Sequence, residues 1–393
     1  VNVVALCDVL PSRTNKIMQE AKNRGMNDVR VFDDFRKMFD KVGKQIDACT
    51  VGTPDHSHFP ISMLAMSLGK HIYVEKPLAH TFEECELMMK AEAKYKVACQ
   101  MGNQGHSGNQ RRQFEQWVER GIIKDVKKID AWMNKKRRWW GWGKVADYPK
   151  GGNPPEGMNW DVWAGTAPLR PYDGKYDPGN WRGWFDYGCG AFGDWGPHIL
   201  DSIHRYLKLG LPEKIRAVKF MDPTSPVVYP KGSTIGFDFA ARENMPACAI
   251  TWYDGPGNVP KLPEGYTKGH GSNRGKFIYC ANDVVIKGGS HTDTHHIIKG
   301  DVDRAKLKLT GKAETSTNHM TNFINAAMGK EECNSKFSVS APLTQVFMLG
   351  CIAQELGTDL EFDTKKKKIT NNKKANELLK RPPRKGWEEY YKL

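Results

Sequence analysis

No run of about eighteen apolar residues, the length a membrane-spanning helix needs, occurs in the 393-residue chain. Zinc-type spacing is also missing, with no Cys-x-x-Cys and no tight Cys/His cluster of the kind that holds a structural metal. The nine cysteines are odd in number and scattered, and Cys49, Cys99, Cys248 and Cys351 lie in apolar surroundings. That pattern suits buried free thiols rather than a disulfide framework and points to a reducing compartment. His291, His295 and His296 fall in a polar stretch and read as solvated. No Gly-x-Gly-x-x-Gly follows a strand and opens a helix, although that turn is how a dinucleotide fold cradles a pyrophosphate. Acidic residues are the minority, 45 against 59 Lys and Arg, which gives a formal charge of +14. Such an excess attracts phosphate or acidic polymers, or it is a solvated surface, since much of it lies at Lys365 to Lys368 and Lys373-Lys374.

What is present begins with strands alternating with helices. Val1 to Leu6, Val29 to Phe32, Ile46 to Val51, Ile72 to Val74 and Val97 to Met101 are apolar runs, separated by helical stretches. That alternation predicts an α/β fold with a parallel, doubly wound sheet over residues 1–121, a Rossmann-type nucleotide-binding unit. Because the Gly-rich turn normally precedes the strand that ends in an acid, the chain is expected to start after the first strand of such a fold. From Gly121 the pattern changes. Val126 to Met133 alternates like a strand exposed on one face, and strands follow at Ile215 to Met221, Thr234 to Ala240, Ala247 to Tyr253, Lys276 to Cys280 and Val284 to Lys287. With helices at Thr317 to Met328 and Ala341 to Leu356, residues 122–393 are expected to form an α+β unit with a large, mostly antiparallel open sheet. The polar tail from Asn371 to Leu393 reads as lying along the surface.

Chemistry concentrates at strand ends. In His71-Ile72-Tyr73-Val74-Glu75-Lys76-Pro77-Leu78 a buried strand delivers a carboxylate and an amine to the carboxyl edge of the sheet, where open α/β folds bind ligands. Lys76, desolvated beside other cations, would titrate in a range useful for proton transfer; alone, the triplet also reads as an ordinary surface lysine. Asp8, at the tip of the first strand, reads as a ribose ligand favouring NAD over NADP, or as a turn-capping acid. The loop Gly52-Thr53-Pro54-Asp55-His56-Ser57-His58 sits at another strand end, with its backbone and Thr53 toward a cofactor. His58 reads either as facing it or as capping the next helix. Lys135-Lys136-Arg137-Arg138-Trp139-Trp140-Gly141-Trp142 reads as one wall of a sugar site or as a nucleic-acid surface; without a nucleic-acid fold signature the second is set aside. The loop from Gly151 to Trp184, rich in Gly, Pro and Trp, is long enough to be an ordered functional element or a packed lid. In Gly190-Ala191-Phe192-Gly193-Asp194-Trp195-Gly196-Pro197-His198, Pro197 suits the first turn of a helix. Asp194 and His198 share a face there, so that the carboxylate orients the imidazole.

Taken together in this order, Glu75-Lys76-Pro77, Thr53 to His58 and Gly190 to His198 resemble the Gfo/Idh/MocA oxidoreductases, and the resemblance covers nearly the whole chain. It implies hydride transfer between a sugar, glycoside or polyol carbon and NAD, with the second sheet backing the active site and pairing subunits into a homodimer or homotetramer. By motif, Lys76 matches the catalytic lysine, His198 the acid/base histidine and Asp194 its carboxylate partner. Asp8, Thr53, Pro54, His58 and Glu75 match cofactor-side positions, and Trp181 and Arg182 match a segment near the nicotinamide. His106 and Trp163 are the candidates for the sugar pocket. Two other functions fit the same residues: a redox-neutral glycosidase or lyase that keeps and recycles NAD, and a non-catalytic nucleotide- or sugar-binding relative. The compartment stays open, because an export signal would precede Val1.

Overall fold

The computed structural model describes residues 1–135, 145–176, 179–291 and 293–393. The basic, Trp-rich stretch from Lys136 to Trp142 therefore lies outside the described residues, and of it only Lys135 is described. The N-terminal third alternates as expected: β1 (Ala5–Cys7), α1 (Asn15–Asn23), β2 (Arg30–Phe32), α2 (Phe35–Val42), β3 (Ala48–Val51), α3 (His58–Ser67), β4 (His71–Val74), α4 (Phe82–Tyr95), β5 (Cys99–Met101) and α5 (Asn109–Glu119). Local chemistry sets several of these starts. Asp34 accepts the Arg36 N–H at the head of α2, and Thr81 with Glu84 forms a reciprocal capping box at the head of α4, satisfying donors that a helix start leaves open. All the strand pairings in this third are parallel, but in two pieces: β1 with β2, and β3-β4-β5. In the doubly wound order another strand stands between the positions of β1 and β3. Among the described residues those two strands are not paired.

The remainder supplies β6 (Lys128–Met133), α6 (Trp160–Ala164), α7 (Gly190–Tyr206), β7 (Lys214–Phe220), β8 (Ser233–Phe239), β9 (Cys248–Asp254), β10 (Arg274–Tyr279), β11 (Val285–Gly288), β12 (His296–Lys299), α8 (His319–Ala327), α9 (Phe337–Leu356), β13 (Leu360–Asp363), β14 (Lys368–Ile369) and α10 (Lys373–Glu377). Nine strands form one sheet in the order β12-β11-β10-β6-β9-β8-β7-β13-β14. Every pairing in it is antiparallel except β6 with β9. The reading of β6 as exposed on one face is corrected: every residue but Lys128 is buried, since α7 packs on the face of Ile129, Ala131 and Met133 and His270 and Phe277 pack against Trp132 on the other. α7 and α9 cover one face of the sheet, with Phe192 and Phe347 stacked between them at 5.9 Å. By length and composition α9 could cross a membrane, but 83% of its apolar window is buried inside the protein, so its apolarity is that of a core helix.

One further expectation is corrected and another refined. α7 opens at Gly190, which places Pro197 inside the helix rather than in its first turn. The C-terminal tail lies along the surface but is anchored in it, because Trp387 and Tyr390 are buried against Phe35 with ring centroids 6.1 Å away in each case. Large aromatic rings recover more from burial than the tail's polar residues lose. All nine cysteines are free.

Candidate active site

Register alignment builds the site. Val51 pairs with Val74, and Val74 with Met101, so the segments that follow these residues leave the sheet along one rim. Thr53 follows β3, and Glu75 and Lys76 follow β4. His58 ties the two loops: it is buried, with its ring nitrogens at the carbonyls of Pro77 (2.7 Å) and Thr53 (2.9 Å). It is thus a brace within the rim. The Lys76–Pro77 peptide is cis.

α7 closes on this rim because Gly193 carries no side chain. A Cβ there would sit 2.5 Å from the Cys189 Cβ, which is sterically excluded, and at a tight 3.1 Å from Pro77. Four residues further into the helix, Pro197 has no N–H to give the Gly193 carbonyl. The neighbouring Asp194 carbonyl is engaged from outside the helix: Lys76 Nζ donates to it at 2.9 Å and to Asp194 Oδ1 at 2.8 Å. Sequence reasoning expected cations beside Lys76, whereas its nearest charge is this carboxylate. Asp194 is also 3.8 Å from Arg182 Nε, and Arg182 Nη1 bonds both oxygens of the fully buried Asp55 at 2.9 and 3.0 Å. Asp55 additionally accepts the Cys189 N–H at 2.9 Å. Burial disfavours the charged Arg182, but Asp55 and Asp194 more than offset it, so its pKa is raised. The result is a chain of alternating charge, Lys76, Asp194, Arg182, Asp55, in which Asp55 is a member that sequence reasoning quoted without assigning a role.

His198 faces the same space one helical turn beyond Asp194. Burial, then the charges of Lys76 and His291, hold its pKa well below 6.5, with Asp194 opposing. This favours its neutral form, and its buried Nδ1 has no hydrogen-bond partner among the described residues. Its ring stacks on His291 at 3.8 Å and 20°. This overturns the reading of the later histidines as solvated. His291 is part of the site and His295 is buried with neither ring nitrogen hydrogen-bonded among the described residues, while of the three His296 alone is exposed. A Gly-Ser turn far downstream carries no periodicity that could have announced His291.

The other candidates fall in different places. Asp8 accepts the Leu10 N–H at 2.9 Å, as a turn-capping acid does. Glu75 accepts from Gln104 Nε2 at 3.2 Å, and burial raises its pKa against the opposing charge of Lys76. Trp181 lies under the Arg182 guanidinium at 4.4 Å. His106 is fully buried beneath the site, donating from Nδ1 to Asp201 at 2.7 Å and accepting from Arg205; both ring nitrogens are thereby engaged within the protein. Trp163 is 4% exposed and stacks on Trp160 at 4.4 Å within the aromatic cluster of the long loop. Pro54 and Thr53 are half-buried on the rim, and the buried Thr53 Oγ1 has no partner among the described residues. That orphaned hydroxyl lies at the carboxyl end of β3, where an open α/β sheet binds its ligand, and so these residues fit a nucleotide cofactor.

A rim of strand ends facing a lysine, a carboxylate and a histidine is the place where an open α/β sheet of the nucleotide-binding class takes its ligand. The chain belongs to the Gfo/Idh/MocA oxidoreductase family. Residues 1–103 match that family's NAD-binding Rossmann fold, and residues 108–215 and 281–389 match its C-terminal alpha/beta domain. NAD is the cofactor this family's N-terminal fold binds. Among curated proteins the chain is similar to inositol 2-dehydrogenase/D-chiro-inositol 3-dehydrogenase of Lactiplantibacillus plantarum, with 25% identity over 31% of this chain and 34% of that one. It is also similar to glycosyl hydrolase family 109 protein 1 of a Shewanella species, with 24% identity over 35% of this chain and 31% of that protein. The matched stretches thus span about a third of these relatives' lengths. Among solved structures, the WlbA dehydrogenase of Chromobacterium violaceum, in complex with NADH and UDP-GlcNAcA, superposes with a TM-score of 0.61 at 13% identity. It covers 92% of this chain and 88% of its own, and at that identity the likeness is one of fold.

Proposed function

We propose that the protein oxidises a hydroxyl of a sugar, glycoside or polyol with NAD, Lys76 and His198 handling the proton. The observation that carries this reading is the position of Lys76, held by Asp194 at 2.8 Å on the rim of strand ends beside a histidine that burial keeps neutral. Bound NAD supplies the acceptor for the hydride that leaves the carbinol carbon. The hydroxyl proton passes to neutral His198, and the Lys76 ammonium stabilises the oxygen as its bond order to carbon rises. Asp194 positions Lys76 through both its carbonyl and its carboxylate. Thr53 and the backbone beside Pro54, with Glu75, Trp181 and Arg182, would hold the cofactor, and the relatives named as inositol and WlbA dehydrogenases support a polyol or sugar substrate.

Lys76→Ala should lower turnover by roughly 10²–10⁴-fold, the range a positioned proton-transfer group supplies, while NAD binding by calorimetry stays as in the parent. Loss of NAD binding together with turnover would show a cofactor-side role instead. The similarity to a glycosyl hydrolase family 109 protein favours one second reading, in which NAD is retained and the reaction is redox-neutral. Stoichiometric NADH release with a polyol supports the dehydrogenase, and product formation without NADH release supports the alternative.

A further inference from the structure

We propose that the substrate is an anionic sugar, bearing a carboxylate or a phosphate, and that Arg274 binds its charge. The proposal deepens the dehydrogenase reading and rests on it for the site's location. Each cation on the Lys76 side of the site has an acid: Lys76 has Asp194 at 2.8 Å and Arg182 has Asp55 at 2.9 Å. Arg274, at the head of β10, has none among the described residues. Its Nε donates to Ser290 Oγ at 2.6 Å and its guanidinium lies over the Trp195 ring at 5.2 Å, which leaves both Nη groups without a hydrogen-bond partner among the described residues. A guanidinium braced on one face by an aromatic ring still presents its edge, and the Nη pair matches a carboxylate or phosphate in bidentate fashion.

The same contacts join Arg274 to the reacting end of the site. Since Arg Nε can only donate, Ser290 Oγ accepts there and turns its own proton to His291 Nδ1, 3.1 Å away. That fixes His291 with its proton on Nε2, stacked at 3.8 Å on His198. The His291 carbonyl lies where a Cβ on Gly105 would be, 2.6 Å away, and Gln110 Nε2 donates to it at 2.5 Å, so the turn bearing Ser290 and His291 is held from below. After burial, the Arg274 charge is the next cause of the lowered His291 pKa, and it also acts on His198, placing it within electrostatic reach of both rings.

Beside Arg274 opens a cavity of about 700 Å³, a volume ordinary for a small-molecule site; Arg274 lines it, whereas Lys76, Asp194, His198 and His291 do not, so Arg274 is the link between it and the reacting end. Lys268, Arg274 and Lys287 line it, against Asp293 as its one acid. Among the described residues Lys287 meets no acid: it donates to the Tyr266 hydroxyl at 3.2 Å and the Gly269 carbonyl at 3.5 Å and lies over the Tyr266 ring, and Asp293 Oδ2 is engaged by the Ser290 N–H at 3.1 Å. A ligand that brings its own negative charge supplies what this wall lacks.

The test is a calorimetric titration of the NADH-loaded full chain with D-glucuronate, D-glucose 6-phosphate and D-glucose, repeated on Arg274→Gln. One anionic sugar is expected to bind at least tenfold tighter than glucose, and which of the two does so separates a carboxylate from a phosphate. The advantage should vanish in Arg274→Gln, with NADH affinity and melting temperature as in the parent. Equal binding of glucose, an anion preference that survives in Arg274→Gln, or no sugar bound by the NADH-loaded protein would overturn the proposal. Should the anionic sugar bind through Arg274 without ever reducing NAD, the dehydrogenase reading fails and Arg274 stands as an anion-binding residue only; should neutral sugars be oxidised as efficiently as their acids, the dehydrogenase reading stands and the anionic substrate falls.

Discussion

The two walls of the site are built on opposite electrostatic principles. On the wall formed by strand ends and the head of α7, charges alternate in contact, from Lys76 through Asp194 and Arg182 to Asp55. On the wall formed by β10 and the turn after β11, Arg274 and the buried Lys276 have no carboxylate within ion-pair distance among the described residues, and two imidazoles stack without a bridging acid. A wall whose charges are internally matched is rigid and self-sufficient, so it suits the holding of a proton-transfer group. A wall with unmatched cations stays incomplete until something anionic arrives.

The sharpest way to break the contrast is to unmatch the matched wall. Asp55 is fully buried, and Asp55→Ala leaves Arg182 only the Asp194 carboxylate, 3.8 Å from its Nε and already shared with Lys76. The expected loss is roughly 3–5 kcal/mol of unfolding free energy, the usual result of orphaning one member of a buried pair, measured by urea denaturation. Arg182→Met added to Asp55→Ala should restore part of it, because the orphaned charge is then gone. A loss below about 1 kcal/mol, the range of an exposed pair, would mean that the alternation is decorative.

The unmatched wall predicts a pH signature. Lys276 is 4% exposed, and its Nζ donates to the Gly289 carbonyl at 3.1 Å. Burial lowers its pKa from 10.5 to about 8, with Asp201 and Asp293 opposing. Below pH 8 the folded protein carries the buried charge at full cost. From pH 8 to 10.5 the folded state has shed the proton while the unfolded chain still holds it, so stability rises across that window, by about 3 kcal/mol at ~1.4 kcal/mol per unit. Lys276→Met should therefore be the more stable form at pH 7, and the difference between it and the parent should close between pH 8 and 10.5. A difference independent of pH would place the gain in packing alone.

These two walls were not equally legible in the sequence. The first is written in contiguous motifs: β4 ends in Glu75-Lys76-Pro77, and Asp194 and His198 stand one helical turn apart, so local pattern sufficed. Even there Pro197 misled, because an N-terminal preference is only a tendency, and here close packing at Gly193 fixes the helix start earlier. The second wall depends on pairings made far along the chain. β10 meets β6 in antiparallel register, Arg274 opposite Met133, and nothing near Arg274 or His291 in sequence signals that the sheet returns them to His198. His106 and Trp163 show the converse: both belong to recognisable polar or aromatic loops, yet packing carries one beneath the site and the other into an aromatic core.

The smallest expected effect lies at the far end of the cofactor rim and separates the two readings of Asp8. The Cys7 thiol is pushed up to about 12 by burial and then by the carboxylates of Asp34, Asp8 and Asp33, so three acids crowd the ends of β1 and β2, with Asp34 paired to Arg36 at 2.7 Å and Asp33 to the exposed Lys37 at 3.4 Å. A phosphate on the adenosine ribose would enter that crowd against its charge, whereas a free hydroxyl pair could donate to it. We therefore expect NAD to bind more tightly than NADP. Asp8→Asn is the informative change because the amide oxygen still accepts the Leu10 N–H that Asp8 Oδ1 holds at 2.9 Å, so the turn survives while one negative charge is lost. The ratio of NAD to NADP affinity, measured by calorimetry, should fall by about tenfold, equivalent to ~1.4 kcal/mol. If the ratio is unchanged and Asp8→Ala destabilises the fold by about 1 kcal/mol, as loss of a capping acceptor does, then Asp8 serves the turn alone and cofactor choice rests with Asp33 and Asp34.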